Sequence, residues 1–304
     1  MKLLHTEKTY LLPVRKGVFM FQNTAITPSV TSFHHATGKI DYNMTNDYMF
    51  RAVLQQSEHT QRCLIASLLH LDPASIISIE IMNPIVLGRK FDEKTFILDI
   101  SILLNNQTHI NLEMQVLDKH DWPDRSLSYL CRSFDQLQKG AEYSEIRPVI
   151  HIGFLNFAPF PKEPPEFYAS YQMLNIKNHH VYSDKFRLSV VNLTQTEIAT
   201  AEDRKWHIDH WANLFRATTW EDIKMLAQKY SDIDQTAETL YALNAEDDIR
   251  LQCQAREDYD KWQRMTENLI KKQEAIIAEK DAALADKDSI IRQLKAENAA
   301  LRSK

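Results

Sequence analysis

Glycine is scarce, with 5 residues in 304. That leaves little material for glycine-rich phosphate loops, and neither the P-loop signature nor the GxGxxG dinucleotide signature occurs. Cysteine is scarcer still. Cys63, Cys131 and Cys253 are odd in number, far apart and without CxxC spacing. This argues against a disulfide framework and reads as three reduced, mostly buried thiols of a cytoplasmic protein. No apolar run reaches the roughly 18 residues that a membrane span needs. The start, Met1-Lys2-Leu3-Leu4, is broken by His5, Glu7 and Lys8, so neither a signal peptide nor a membrane partner is expected. A surplus of positive charge is also missing, because the formal charge is -5. Binding to nucleic-acid phosphates needs concentrated Lys and Arg, so it would have to rely on a local basic groove.

What remains is ordinary for a globular chain. Hydrophobic residues make up 44% and charged residues 25%, enough for one large domain with an appendage or for two modest domains. Residues 1–38 mix Thr, Ser, His and Pro without a sustained period and read as an irregular arm. From there the pattern is regular. Thr45 or Asn46 can cap a helix whose first turn holds Asp47 and whose apolar face holds Met49, Phe50, Val53 and Leu54. A second amphipathic stretch, with Cys63, Leu64, Leu68 and Leu71, stops at Asp72-Pro73. Segments 76–81 and 95–104 read as strands, Asn105-Asn106 as a turn, and 109–116 as the returning strand of a hairpin. Segment 125–138 reads as a helix. The nearly unbroken apolar run 148–157 predicts a strand covered on both faces at the centre of a sheet. Segments 167–174 and 186–193 suit short strands near a sheet edge, and after Thr194 the chain turns helical.

From about Asp258 the chain has neither Pro nor Gly. Ile270, Ile277, Leu284, Ile291 and Asn298 recur every seven residues, and Leu294 and Leu301 each follow a member of that series by three. This heptad seam predicts a coiled coil over 259–304, imperfect in its early part, that joins copies of the chain. A solvent-exposed single helix is the alternative.

Two strand residues carry the chemistry. Asp99 interrupts the apolar run Phe96-Ile97-Leu98 and Ile100, and Glu113 lies between Leu112 and Met114. A carboxylate in a buried strand is unfavourable unless paired or bound to a metal. Two on neighbouring strands make each other worse unless a divalent cation neutralises them. Glu113 and Gln115 are two apart and share one face of their strand. Hard oxygen donors of this kind suit Mg2+ or Mn2+, and such an ion can activate water against a phosphodiester. The alternative is that these residues lie at a sheet edge and contact only water.

The order of the pieces resembles the PD-(D/E)XK nuclease superfamily, and more closely its recombination-promoting nuclease and transposase-like family. The resembling pieces are Asn46-Asp47-Tyr48-Met49-Phe50-Arg51, Phe96-Ile97-Leu98-Asp99-Ile100 and Asn111-Leu112-Glu113-Met114-Gln115. Arg125 to Tyr129, Gln138 to Tyr143 and Arg147 to Ile152 follow in order, and the stretch from Ala242 to Glu257 is similar to the family's helical C-terminal region. The resemblance implies an α/β restriction-endonuclease-like core, a mixed central sheet flanked by helices, over 39–195. A helical region over 196–258 and the coiled coil would follow.

It also implies a Mg2+- or Mn2+-dependent DNA endonuclease. Asp99, Glu113 and Asp47 would be metal ligands, and Asp99, Glu113 and Gln115 the catalytic set. Gln115 stands where the superfamily usually has Lys, which leaves the role of that position open. DNA is the implied partner, with Arg51, Arg125 and Lys139 as candidate contacts. Arg125, Arg132 and Lys139, at i, i+7 and i+14, would form a phosphate stripe or a solvated face. A basic group, Arg89, Lys90 and Lys94, also borders the Asp99 strand. The rival reading keeps the fold without catalysis, as a DNA-binding or dimerising protein. His207 and His210 have spacing that can chelate a metal, but no second pair completes a zinc site.

Overall fold

The computed structural model describes residues 32–83, 100–135 and 142–302. Helix α1 (Asp47–Gln56) begins at Asn46, whose side chain accepts a hydrogen bond from the Met49 amide at 3.2 Å. The cap leaves Asp47 in the first turn, where a carboxylate meets the positive end of the helix dipole. Helix α2 (Glu58–Leu69) starts at Ser57, which accepts from the Thr60 amide, and ends where His70 turns left-handed with φ 57°.

Six strands form one mixed sheet in the order β1-β2-β3-β4-β6-β5. They are β1 (Ile79–Ile81), β2 (Ile100–Leu104), β3 (Thr108–Gln115), β4 (Val149–Leu155), β5 (Tyr168–Gln172) and β6 (Phe186–Asn192). The expected hairpin is β2–β3, antiparallel, and Asn105 and Asn106 turn it with φ of 51° and 54°. Asparagine tolerates this left-handed backbone better than most residues. The Asn105 side chain also accepts from the amides of Ile77 and Ser78, which ties the approach to β1 onto the same turn. Strand β4 runs parallel to both β3 and β6 in the sheet interior, as its continuous apolar run predicts. Strand β5 takes the edge and β6 lies one strand in.

Strand alternation separates two faces. Leu112, Met114, Ile152, Phe154 and Val191 join the main core with α1, α2, α5 (Ile208–Arg216) and α7 (Ser231–Asn244). Leu155 and Val190 face the other way and pack with Trp122 of α3 (Trp122–Phe134), which lies over β4 and β6. Glu113 and Gln115 belong to that second face. Helix α3 starts three residues before the expected 125 and ends at Phe134; Lys139 lies outside the described residues.

The short helices α4 (Ala201–Lys205) and α6 (Trp220–Ala227) complete the helical layer. The main core runs from Phe33 to Cys253 without a break at 195, so the sheet and the later helices share one interior. Phe33, expected in the irregular arm, is fully buried in it. Helix α8 (Asp247–Arg302) has 56 residues, about 84 Å at 1.5 Å per residue. The expected boundary at 258 falls inside it. Its first turns are packed through Ile249, Gln252 and Cys253, and beyond them Leu269, Ile270, Ile277, Leu284, Ile291 and Leu294 are exposed. No helix among the described residues is long and apolar enough to cross a membrane.

Candidate active site

A polar cleft opens at the carboxyl end of β3. Asp47 of α1, Glu113 and Gln115 of β3, Arg125 of α3, and Arg256 and Asp260 of α8 line it, with Thr45 and Lys119 from loops. It has room of about 60 Å³, enough for a small ion and a few water molecules. Three of the expected site residues, Asp47, Glu113 and Gln115, therefore meet here, as does the DNA candidate Arg125. Asp99, expected beside them, lies outside the described residues, as do Arg89, Lys90 and Lys94.

Glu113 is 4% exposed and Gln115 9%, on a strand with neighbours on both sides. The sheet-edge alternative is thereby overturned for both. Arg125 Nε donates to Glu113 Oε1 at 2.8 Å. His151 of β4 places Nε2 3.5 Å from Glu113 Oε2, at the outer limit of a hydrogen bond. Burial works to raise the Glu113 pKa, but His151 and the Arg125 charge outweigh it and hold the carboxyl below the usual range. His151 is fully buried, with Tyr129 stacked on its ring and Trp122 beside it. The Trp122 ring fits because Gly153, the register partner of Glu113, has no side chain. A Cβ there would lie 2.2 Å from the indole.

Asp47 is held differently. Arg256 Nε donates to its Oδ2 at 2.5 Å, and Arg256 Nη2 lies 3.4 Å from Asp260 Oδ1. Burial pushes the Asp47 carboxyl up to about 6, against the lowering effect of Arg256 and with a further rise from Asp260. Burial likewise raises Asp260.

Several oxygens around the cleft are buried without a hydrogen-bond partner among the described residues. These are Asp47 Oδ1 and Gln115 Oε1, together with Glu113 Oε2 and Asp260 Oδ1, which have only the longer contacts with His151 and Arg256. The Gln115 amide nitrogen is used, donating to the Leu117 carbonyl at 3.0 Å. Orphaned buried oxygens are costly unless something meets them, and an all-oxygen donor set is what a hard divalent cation takes. The residues present fit such an ion. No group of three or more His, Cys, Asp or Glu side chains among the described residues is arranged to hold one, so the fit rests on Asp47 and Glu113 together with the Gln115 amide.

Arg51, an expected DNA contact, is not among the residues brought to the cleft. It is 2% exposed, and its guanidinium donates to the Asn83 carbonyl. The buried face of α1 turns it inward. Arg125 and Arg132 both lie over the Tyr129 ring, at 5.1 and 5.9 Å, so two members of the expected stripe share one side of α3. His207 precedes α5 in a left-handed conformation, and the His210 ring stacks on Tyr230 at 3.5 Å. They contact Asp232 and Asp209 respectively.

His151, Lys119, Arg256 and Asp260 were not singled out from the sequence. His151 had a signal, an ionisable residue inside the apolar run Val149-Ile150-His151-Ile152. Arg256 lies in the resembling stretch that ends at Glu257 but carried no role there, and Asp260 had no signal, since both sit in a charge-rich helix where such residues are usually solvated.

A family model described as PD-(D/E)XK nuclease family transposase matches residues 44–270. No curated protein and no solved structure gives a significant match.

Proposed function

The chain belongs to the PD-(D/E)XK nuclease transposase family, and on that premise we propose that it is a DNA endonuclease dependent on Mg2+ or Mn2+. The observation that carries this reading is the convergence of Asp47, Glu113 and Gln115 on one polar cleft where, among the described residues, Asp47 and Gln115 each keep a buried oxygen without a hydrogen bond and Glu113 Oε2 has only the long contact with His151. Asp47, Glu113 and Asp99 would hold the ion. When bound, it supplies a water of lowered pKa and a counter-charge for the phosphate.

The protein's own groups set the stage for that chemistry. Arg125 and His151 keep Glu113 anionic and fix its orientation. The Gln115 amide, anchored through its nitrogen, turns its oxygen to the cleft and positions water or phosphate. Arg125 and Lys139 would contact the DNA backbone. The exposed apolar row of α8 would bring two copies together as a coiled coil, which suits cutting both strands of a duplex.

The test is cleavage of supercoiled plasmid in Mg2+ by wild type, Asp99→Ala and Glu113→Ala, each checked for folding. Loss of cleavage in both folded variants is expected. Equal cleavage by all three sinks the proposal. The second reading, a DNA-binding protein without catalysis, is favoured by one observation. Arg125 and Arg256 already neutralise Glu113 and Asp47. DNA binding without cleavage in any divalent metal would select it.

A further inference from the structure

We propose that Arg256 is a phosphate-binding residue of the cleft, supplying from α8 the positive charge that Gln115 does not carry. The inference rests on the nuclease reading above and extends its binding site to a helix 209 residues beyond Asp47 in the chain.

Helix α8 is fixed where Arg256 leaves it. Asn46, the residue that caps α1, donates from Nδ2 to the Cys253 carbonyl at 3.1 Å, and Cys253 is fully buried. One turn later the Arg256 side chain enters the cleft, with its guanidinium 5.3 Å from the centre of the Tyr259 ring. The same residue that starts α1 thus sets the height of α8 beside it, and Asp47 and Arg256 face each other as a consequence.

The charges around the cleft balance. Asp47, Glu113 and Asp260 are met by Lys119, Arg125 and Arg256. A phosphodiester entering this space is repelled by the carboxylates and needs a cation directed at it. Lys119 is exposed on a loop. Arg125, with Nε on Glu113 at 2.8 Å, is one such cation and reaches in from α3; Arg256 would be the second, from α8. Arg256 is shared between two carboxylates, at 2.5 Å and 3.4 Å. A guanidinium carries five N–H donors in a planar fork. It can keep Asp47 on Nε while Nη2, 3.4 Å from Asp260, turns to a phosphate, a geometry that an ammonium cannot reproduce. The bland alternative is that Arg256 only ties α8 to α1.

The experiment measures binding of the full chain to a short duplex in Ca2+ across a series of NaCl concentrations. Wild type is compared with Arg256→Gln, and Asp47→Asn with the double variant Asp47→Asn/Arg256→Gln. The second pair removes both partners together, so neither is left as an uncompensated buried charge. Each Arg256 removal is expected to weaken binding by about tenfold and to lower the slope of log affinity against log salt by about 1. Arg256→Lys should keep the slope and lose part of the affinity. Unchanged affinity and slope in the folded double variant would overturn the role of Arg256, with the nuclease reading intact. If wild type itself binds no duplex at any salt concentration, both fall together.

Discussion

Arg256 Nε and Asp47 Oδ2 lie 2.5 Å apart, joining the first turn of α1 to α8. This contact makes the opening turns of the long helix part of the cleft wall. The rest of α8 leaves the core, so one continuous helix serves the site at one end and carries an exposed apolar row at the other.

That division gives the first prediction. Deleting residues 262–304 should lower the mass measured by light scattering while leaving the fold intact, because Arg256 and Asp260 precede the cut. An unchanged solution mass would refute the role of the tail in assembly.

Gly153 is predicted to be intolerant of even one carbon. A Cβ would lie 2.2 Å from the Trp122 ring, which is itself buried. Gly153→Ala should destabilise the protein by about 1–3 kcal/mol through overpacking. Chemical denaturation followed by tryptophan fluorescence checks this, and wild-type stability would contradict the packing of Trp122 on β4.

Glu113 should reveal its ion pair through pH. Its pKa is depressed in the folded protein, so its contribution is complete above the ordinary Glu value of about 4.3 and fades as the pH falls through the lower folded value. Glu113→Gln should therefore be less stable than wild type at pH 7, by about 1–3 kcal/mol for a charge-assisted hydrogen bond. The gap should close as the pH falls below about 4. A gap independent of pH would mean that the loss comes from shape rather than charge.

The thiols should differ in reactivity. Burial pushes Cys63 up to about 11 and raises Cys253 further, with nearby carboxylates adding to both. The thiolate is the reactive form. Brief iodoacetamide treatment at pH 7.5 should alkylate the exposed Cys131 first, and peptide mass spectrometry reads the order. Early labelling of Cys253 would show that the start of α8 opens.

Local chemistry in the sequence determined much of the architecture. Asn46 caps α1, Asn105 and Asn106 turn the hairpin, and the run from Val149 to Leu155 takes the sheet interior. The two-residue spacing of Glu113 and Gln115 puts them on one face wherever the strand goes, because alternation is a property of the extended chain itself. The family followed from the order of these pieces.

Tertiary structure alone decided which groups meet. Periodicity says that α1 has a buried side; it does not say that Arg51 spends its charge there on a backbone carbonyl. Nor does it place His151 beside Glu113, which needs the parallel register of β3 and β4. Arg256 and Asp260 are ordinary helix charges in the sequence and became wall residues only when α8 docked on α1. Contacts across such distances depend on how whole elements pack, and packing is set by the summed shape of many side chains rather than by any short segment. The Glu113 and Gln115 face was legible from spacing, and the charges that surround it had to be seen.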